Sequence, residues 1–296
     1  MTAASHDTSD KWANRESVRR EPAHEESTDG ETANHRTASE IPAIEFDRAS
    51  FLLNGRALLQ DLVLSVKRGE TLVLLGRSGS GKTTTLKLIN RLLLPSAGEV
   101  RVTGRSTSDW DPIQLRRSIG YVIQDGGLFP HFTVERNIAL VPRIGKWPRA
   151  RVQERVRELL ATVGLHDELL SRYPSQLSGG QRQRVGVARA LAADPPILIL
   201  DEAFGALDPI TRSAMQKEFR ALQQRMRKAV IFVTHDLREA LLLADRIALM
   251  EEGRLIVNLP TAEFTRSEHP LVRAYMEAFS GLPESDSAKS GLPNQD

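Results

Sequence analysis

The chain contains no cysteine. Disulfide frameworks and thiolate-ligated metal sites are therefore excluded, and the expectation is an intracellular protein. Long apolar runs are missing too. No stretch approaches ~18 consecutive apolar residues, so no membrane-crossing helix is expected. The first thirty residues are polar and charged throughout, without the apolar segment of a secretory signal. Aromatic residues make up only 5% of the 296, and neither sign of charge dominates: 40 Lys and Arg against 38 Asp and Glu leave +2. That balance argues against a protein held on nucleic acid by bulk phosphate attraction, so no nucleic-acid partner is expected. What is present, 40% hydrophobic and 26% charged residues, is an ordinary soluble composition on a chain long enough to bury a core without staples.

The charge is unevenly spread. Residues 1–40 hold nine acids against five Lys and Arg, and their large apolar side chains are almost limited to Trp12 and Val18. Such a segment cannot bury enough surface to offset its ordering entropy, so 1–40 is expected to be a disordered tail. The end, 281–296, has the same character. The folded part is then expected to be one domain over 41–280. No internal repeat and no long heptad seam is present.

Within 41–280, IPAIEF is a short apolar run, and DLVLSVKRGE alternates, with Leu62, Leu64 and Val66 on one side of a half-buried strand. TLVLLG (71–76), ILIL (197–200) and AVIFVT (229–234) are continuous apolar runs, the pattern of strands buried on both faces. EVRVTG and IGYVIQ read as two further strands. A helix is predicted over 82–94, stopped by Pro95. From Phe132 to Ala193 the pattern turns helical, clearest where Val152, Val156, Leu159, Leu160 and Val163 share one face. RIALM, a turn at Glu252-Gly253 and LIVNL predict a closing hairpin. The alternation implies a parallel α/β sheet covered on both faces, a smaller antiparallel piece, and a helical insertion at about 126–193 between two core strands.

Residues 76–83, Gly76-Arg77-Ser78-Gly79-Ser80-Gly81-Lys82-Thr83, fit G-x-x-x-x-G-K-[ST] between a strand and a helix. Glycines let the backbone wrap a phosphate with its N–H groups turned inward, and the helix start adds a positive dipole end. Lys82 is placed to reach the β- and γ-phosphates, Thr83 to hold Mg²⁺, and Thr84 follows on the same turn. Asp201 and Glu202 end the ILIL strand. In such sheets ligands sit at the carboxyl ends of strands, so Asp201 is expected in the Mg²⁺ shell and Glu202 beside it as the group that polarises a water.

LSGGQRQRV (177–185), together with GRSGSGKT, ILILDE and His235 after a strand, resembles the ATP-binding cassette (ABC) ATPases over about 44–260. The resemblance implies a P-loop NTPase (RecA-like) core with a small antiparallel β subdomain and an inserted α-helical subdomain. It implies a head-to-tail dimer, with ATP lying between the phosphate loop of one subunit and Ser178 and Gly180 of the other. It also implies that Gln124, ending IGYVIQ, touches Mg²⁺ and the attacking water, that Asp208 in GALD crosses the dimer, and that His235 contacts the γ-phosphate.

Longer strings, among them LRRSIGYVIQDGGLFPHFTVERNIALVP, RYPSQLSGGQRQRVGVARALAADPP and KWP at 146–148, resemble the ATPases of bacterial osmoprotectant importers for glycine betaine, choline and related quaternary amines. Some of those carry paired CBS domains at the C-terminus, and here such regulation is not expected. Two positions depart from the pattern. Ala203 replaces the usual proline after the glutamate, and Leu53 stands where an aromatic stacks on adenine, with Phe51 close by. The expectation is an ATP- and Mg²⁺-dependent ATPase subunit of an importer, peripheral on the cytoplasmic face of the bacterial membrane. Its partners would be a second ATPase subunit, permease subunits with GGLFPHFTV (126–134) as the docking surface, and, indirectly, a substrate-binding protein. Another cargo, such as phospholipid, or a soluble ABC ATPase in translation or repair, is the alternative; a P-loop kinase would leave LSGGQ without a task.

Overall fold

Two kinds of apolar run set the architecture. A computed structural model of the chain describes residues 41–280. The expectations for 1–40 and 281–296 lie outside the described residues.

Ile44–Leu53 forms β1 and Arg56–Val66 forms β2, paired antiparallel with Ile44 opposite Val66 and Phe46 opposite Leu64. The alternation read from the sequence holds: Leu62, Leu64 and Val66 are buried while Val63 is 58% exposed. Thr71–Leu75 is β3, buried at every residue, and the loop 76–81 leads from it into α1 (Lys82–Ile89). Helix α1 stops five residues before the predicted end. The Asn90 side chain accepts from the Leu92 N–H at 3.1 Å, and Arg91 turns left-handed at φ 54°, so a local side-chain bond ends the helix ahead of Pro95. Ala97–Val102 (β4) and Arg105–Ser106 (β5) complete a four-stranded sheet in the order β2-β1-β4-β5.

Pro112–Arg117 (α2) is a short helix that the sequence reading missed; Asp111 caps it by accepting from the Gln114 N–H. Ile119–Val122 is β6. The following segment is less helical than expected. It breaks into α3 (Val134–Ile138), α4 (Leu140–Ile144), α5 (Arg149–Thr162) and α6 (Gly179–Leu191). Pro148 starts α5, Gly164 at φ 66° ends its exit turn, and Pro174 lies in a separate 3₁₀ turn. Each removes or redirects a helical hydrogen bond. The predicted face of α5 is the buried one.

Ile197–Asp201 (β7), Pro209–Met226 (α7), Ala229–Thr234 (β8), Leu237–Leu243 (α8), Arg246–Glu251 (β9) and Arg254–Pro260 (β10) follow. Two further helices, α9 (Thr261–Phe264) and α10 (Pro270–Ser280), were not foreseen. The second sheet has the order β10-β9-β3-β8-β7-β6, parallel except for the β9–β10 hairpin. Alternate residues of its central strands enter two cores. Leu72 and Leu74 of β3 join the antiparallel sheet, with Phe46 and Leu64; Val73 and Leu75 join the helices, with Val185 and Phe219. The sheet is thus covered on both faces, and its strands read as unbroken apolar runs for that reason.

Candidate active site

The sequence-predicted loop lies at the carboxyl end of β3, beside the ends of β7 and β8. Its glycines answer to specific demands. A side chain at Gly76 would put a Cβ 2.4 Å from the Met250 carbonyl oxygen, and Gly81, which opens α1, sits at φ 103°. Lys82 is 5% exposed. Its Nζ donates to the carbonyls of Gly76 at 2.8 Å and Arg77 at 2.7 Å, so the ammonium is held inside the loop by the loop's own backbone. Burial lowers its pKa, against the nearby charges of Glu202 and Asp201.

Asp201 ends β7 and accepts from the Tyr121 hydroxyl at 3.2 Å. Burial raises the Asp201 pKa; the Tyr121 bond opposes this, Glu202 adds to it, and Lys82 and Lys87 pull it down. Burial beside Asp201 also pushes the Tyr121 phenol well above its ordinary range. Tyr121 was missed in the sequence. The signal was present as a polar-tipped side chain in the apolar strand IGYVIQ, but only the β6–β7 pairing brings it to Asp201.

Glu202 follows at φ 46°, a left-handed conformation that costs a non-glycine residue about 1–2 kcal/mol. It is held there by its own N–H donating to the Val233 carbonyl at 3.0 Å and by its carbonyl accepting from the Gly205 N–H at 3.1 Å. Phe204, fully buried against Phe219 and Phe232 with ring centroids 5.8 and 5.6 Å away, pins the turn. Ala203 is buried in the place of the expected proline. The His235 Nδ1 lies 3.6 Å from Glu202 Oε1. The loop, Asp201, Glu202 and His235 thus come together in space.

Ser178, Gly180 and Asp208 lie apart from that centre. Ser178 caps α6 and exchanges bonds with Gln181: the Gln181 N–H donates to its hydroxyl, and its own N–H donates to Gln181 Oε1 at 2.9 Å. Asp208 caps α7 by accepting from the Thr211 N–H at 3.0 Å. The two helix starts touch, because a Cβ at Gly180 would sit 2.8 Å from Thr211 Cγ2. None of the three lines the cavities beside the phosphate loop. Gln124 opens a 3₁₀ turn (Gln124–Gly127) and is exposed.

Neither residue considered for stacking on adenine lies at the loop cavity. Phe51 is buried in the antiparallel-sheet core, Leu53 is 51% exposed, and neither lines the roughly 420 Å³ cavity beside the loop. Arg56, Ala57 and Leu58 of β2 line it instead.

Among the described residues no helix is long and apolar enough to cross a membrane. The profile of the ABC transporter family matches residues 59–205. The choline transport ATP-binding protein OpuBA of Bacillus subtilis is 52% identical over 202 residues, 68% of this chain and 53% of that protein. The chain thus spans about half the length of that curated relative. The glycine betaine uptake system ATP-binding protein YehX of Escherichia coli is 48% identical over 233 residues, 78% of this chain and 76% of that protein. Among solved structures, the dimeric post-hydrolysis state of the ATP-binding cassette MJ0796 bound to ADP and Pi superposes with a TM-score of 0.65 at 33% identity, covering 74% of this chain and 98% of that one.

Proposed function

The chain belongs to the ABC transporter family, and from that premise we propose that it is the ATP-hydrolysing subunit of an importer for quaternary amines such as glycine betaine or choline. The observation that carries the ATPase reading is the convergence of the Lys82 loop, Asp201 and the Glu202–His235 pair at the carboxyl ends of three adjacent parallel strands. The cargo rests on the likeness to the choline and glycine betaine proteins.

In this reading Lys82 leaves the Gly76 and Arg77 carbonyls for the β- and γ-phosphates, and the loop amides take the phosphate oxygens. Glu202 accepts a proton from the attacking water. His235, beside it, faces the γ-phosphate. Thr83, Asp201 and Gln124 offer a hydroxyl, a carboxylate and an amide oxygen, an all-oxygen donor set that suits Mg²⁺. The ion would neutralise charge on the phosphates. The rest of catalysis is positioning and charge stabilisation by the chain itself.

Ser178, Gly180 and Asp208 do not line the cavities beside the phosphate loop, which supports a head-to-tail dimer in which they complete the site of a second copy. The exposed Phe129, packed edge-on with His131 and next to Phe132, supports 126–134 as the seat of a permease segment. The subunit would then be held peripherally at the cytoplasmic face of the membrane.

Glu202→Gln tests the reaction. It should keep ATP binding and lower turnover by about 10²–10⁴-fold, the usual loss of a positioned base; wild-type turnover would reassign the base. Uptake of radiolabelled glycine betaine and choline in a deletion strain lacking other carriers tests the cargo, and unchanged uptake of both would refute it.

A further inference from the structure

Helix α10 walls the catalytic cavity. Its Val272 is fully buried in the helical-side core, and Phe279 lies under the Arg238 guanidinium of α8, 5.3 Å away. That seat turns Tyr275 toward the phosphate loop, where its phenol and the Arg77 side chain border the same cavity. Burial raises the phenol's pKa, and the Arg77 charge opposes the rise while Glu251 adds to it. Tyr275 is therefore a neutral acceptor at physiological pH.

Arg77 occupies a variable position of the loop motif. The motif binds phosphate through backbone amides and Lys82, and it asks for no charge at 77. An arginine has five N–H donors in a rigid fork, so a phenol oxygen across the cavity can hold its plane with one of them and leave the others for a ligand. The cavity of about 560 Å³ that Arg77 borders is also bordered by Glu202 and His235, with Tyr275 and Ala274 of α10 closing the other side. Glu202 and His235 mark the end where a triphosphate differs from a diphosphate. A fixed cation facing that end interacts with the charge that only the triphosphate has.

We propose that Arg77 is a specificity-determining residue that favours nucleoside triphosphate over diphosphate, and that Tyr275 of α10 is the positioning residue that aims it. The proposal rests on the reading of 76–83 as the nucleotide site.

Isothermal titration of the full chain with Mg²⁺ and either β,γ-imido-ATP or ADP tests both parts. Arg77 is exposed, so its replacement leaves the fold intact, and the contribution of a solvated charge pair is modest. Arg77→Gln should weaken the imido analogue about fivefold and ADP less than twofold, in keeping with such a pair. Tyr275→Phe removes one oxygen and should reproduce the same selectivity loss at about half that size or more on a logarithmic scale. In the double variant Tyr275→Phe should cost nothing further. Equal weakening of both nucleotides, no weakening, or an undiminished Tyr275→Phe effect without Arg77 would each overturn the proposal. Lys82→Ala is the separate control: it should abolish binding of both nucleotides, and if it does not, the nucleotide-site reading itself fails.

Discussion

Arg189 grips the chain at Gly127. From the far end of α6 its Nη1 donates to the Gly127 carbonyl at 2.7 Å and its Nη2 to the Gly126 carbonyl at 2.9 Å. The helix that begins at Ser178 is thus tied to the turn that begins at Gln124. Close packing reinforces the tie, since a Cβ at Gly186 would lie 2.9 Å from the Gly126 Cα. Arg189→Ala leaves both carbonyls without these donors. Hydrogen bonds to charged groups are worth about 1.5–3 kcal/mol each, so a loss of about 3–6 kcal/mol is expected for the two, read as a shifted urea midpoint.

Tyr121→Phe removes the hydroxyl that donates to Asp201. The bond favours the charged carboxylate against burial, so without it the Asp201 pKa climbs further. Mg²⁺ then competes with a proton for a more basic group. The half-saturating Mg²⁺ concentration for ATP turnover should rise about 3–10-fold at neutral pH, in line with the loss of about one kcal/mol of hydrogen bonding, with the deficit larger at lower pH.

Glu239 of α8 is 4% exposed, accepts from Gln216 Nε2 at 3.1 Å and is bonded to Thr234. Burial raises its pKa above the ordinary 4.5, the two hydrogen bonds opposing, Asp236 adding to the rise and Arg212 lowering it. The folded state therefore binds this proton more tightly than the unfolded chain. The stability contributed is complete below the unfolded pKa and is lost as pH rises through the folded one. Glu239→Gln carries no such term. The stability of the variant relative to wild type, from urea curves at pH 4 to 8, should increase with pH above about 4.5 and then level. A flat difference would mean that Glu239 titrates normally.

Phe51 packs in the core shared by β1, β2 and β3, away from the cavities beside the loop. Phe51→Ala should cost about 3–5 kcal/mol of stability, as large-to-small core changes do. Fluorescent ATP titration of the folded variant should return the wild-type affinity. A selective loss of ATP affinity would instead place this ring on the base.

Much of the site was legible in the chain itself because the chemistry demands contiguous residues. A phosphate cradle needs glycines and a lysine at set spacing, as in 76–83. A capped anion-facing helix start needs serine followed by glycine, as at Ser178-Gly179-Gly180. Buried strands announce themselves as apolar runs, and β3, β7 and β8 lie where those runs are. Element ends were less legible. The Asn90 side chain ended α1 early, and Gly164 and Pro174 broke a stretch that composition alone made look helical.

The sequence by itself determined the family and singled out the loop 76–83 with Lys82, Asp201, Glu202 and His235 as the proposed nucleotide site, since each sits in a local string of set spacing. Only the tertiary structure decided which residues stand around them. Tyr121 meets Asp201 because β6 pairs with β7, Tyr275 meets Arg77 because α10 folds back across α8, and Phe51 turns into the core because β1 pairs with β2 in a register that faces it inward. Tyr121 and Asp201 are 80 residues apart, and Arg77 and Tyr275 farther still, and no local propensity encodes a contact that exists only once the sheets and helices have packed.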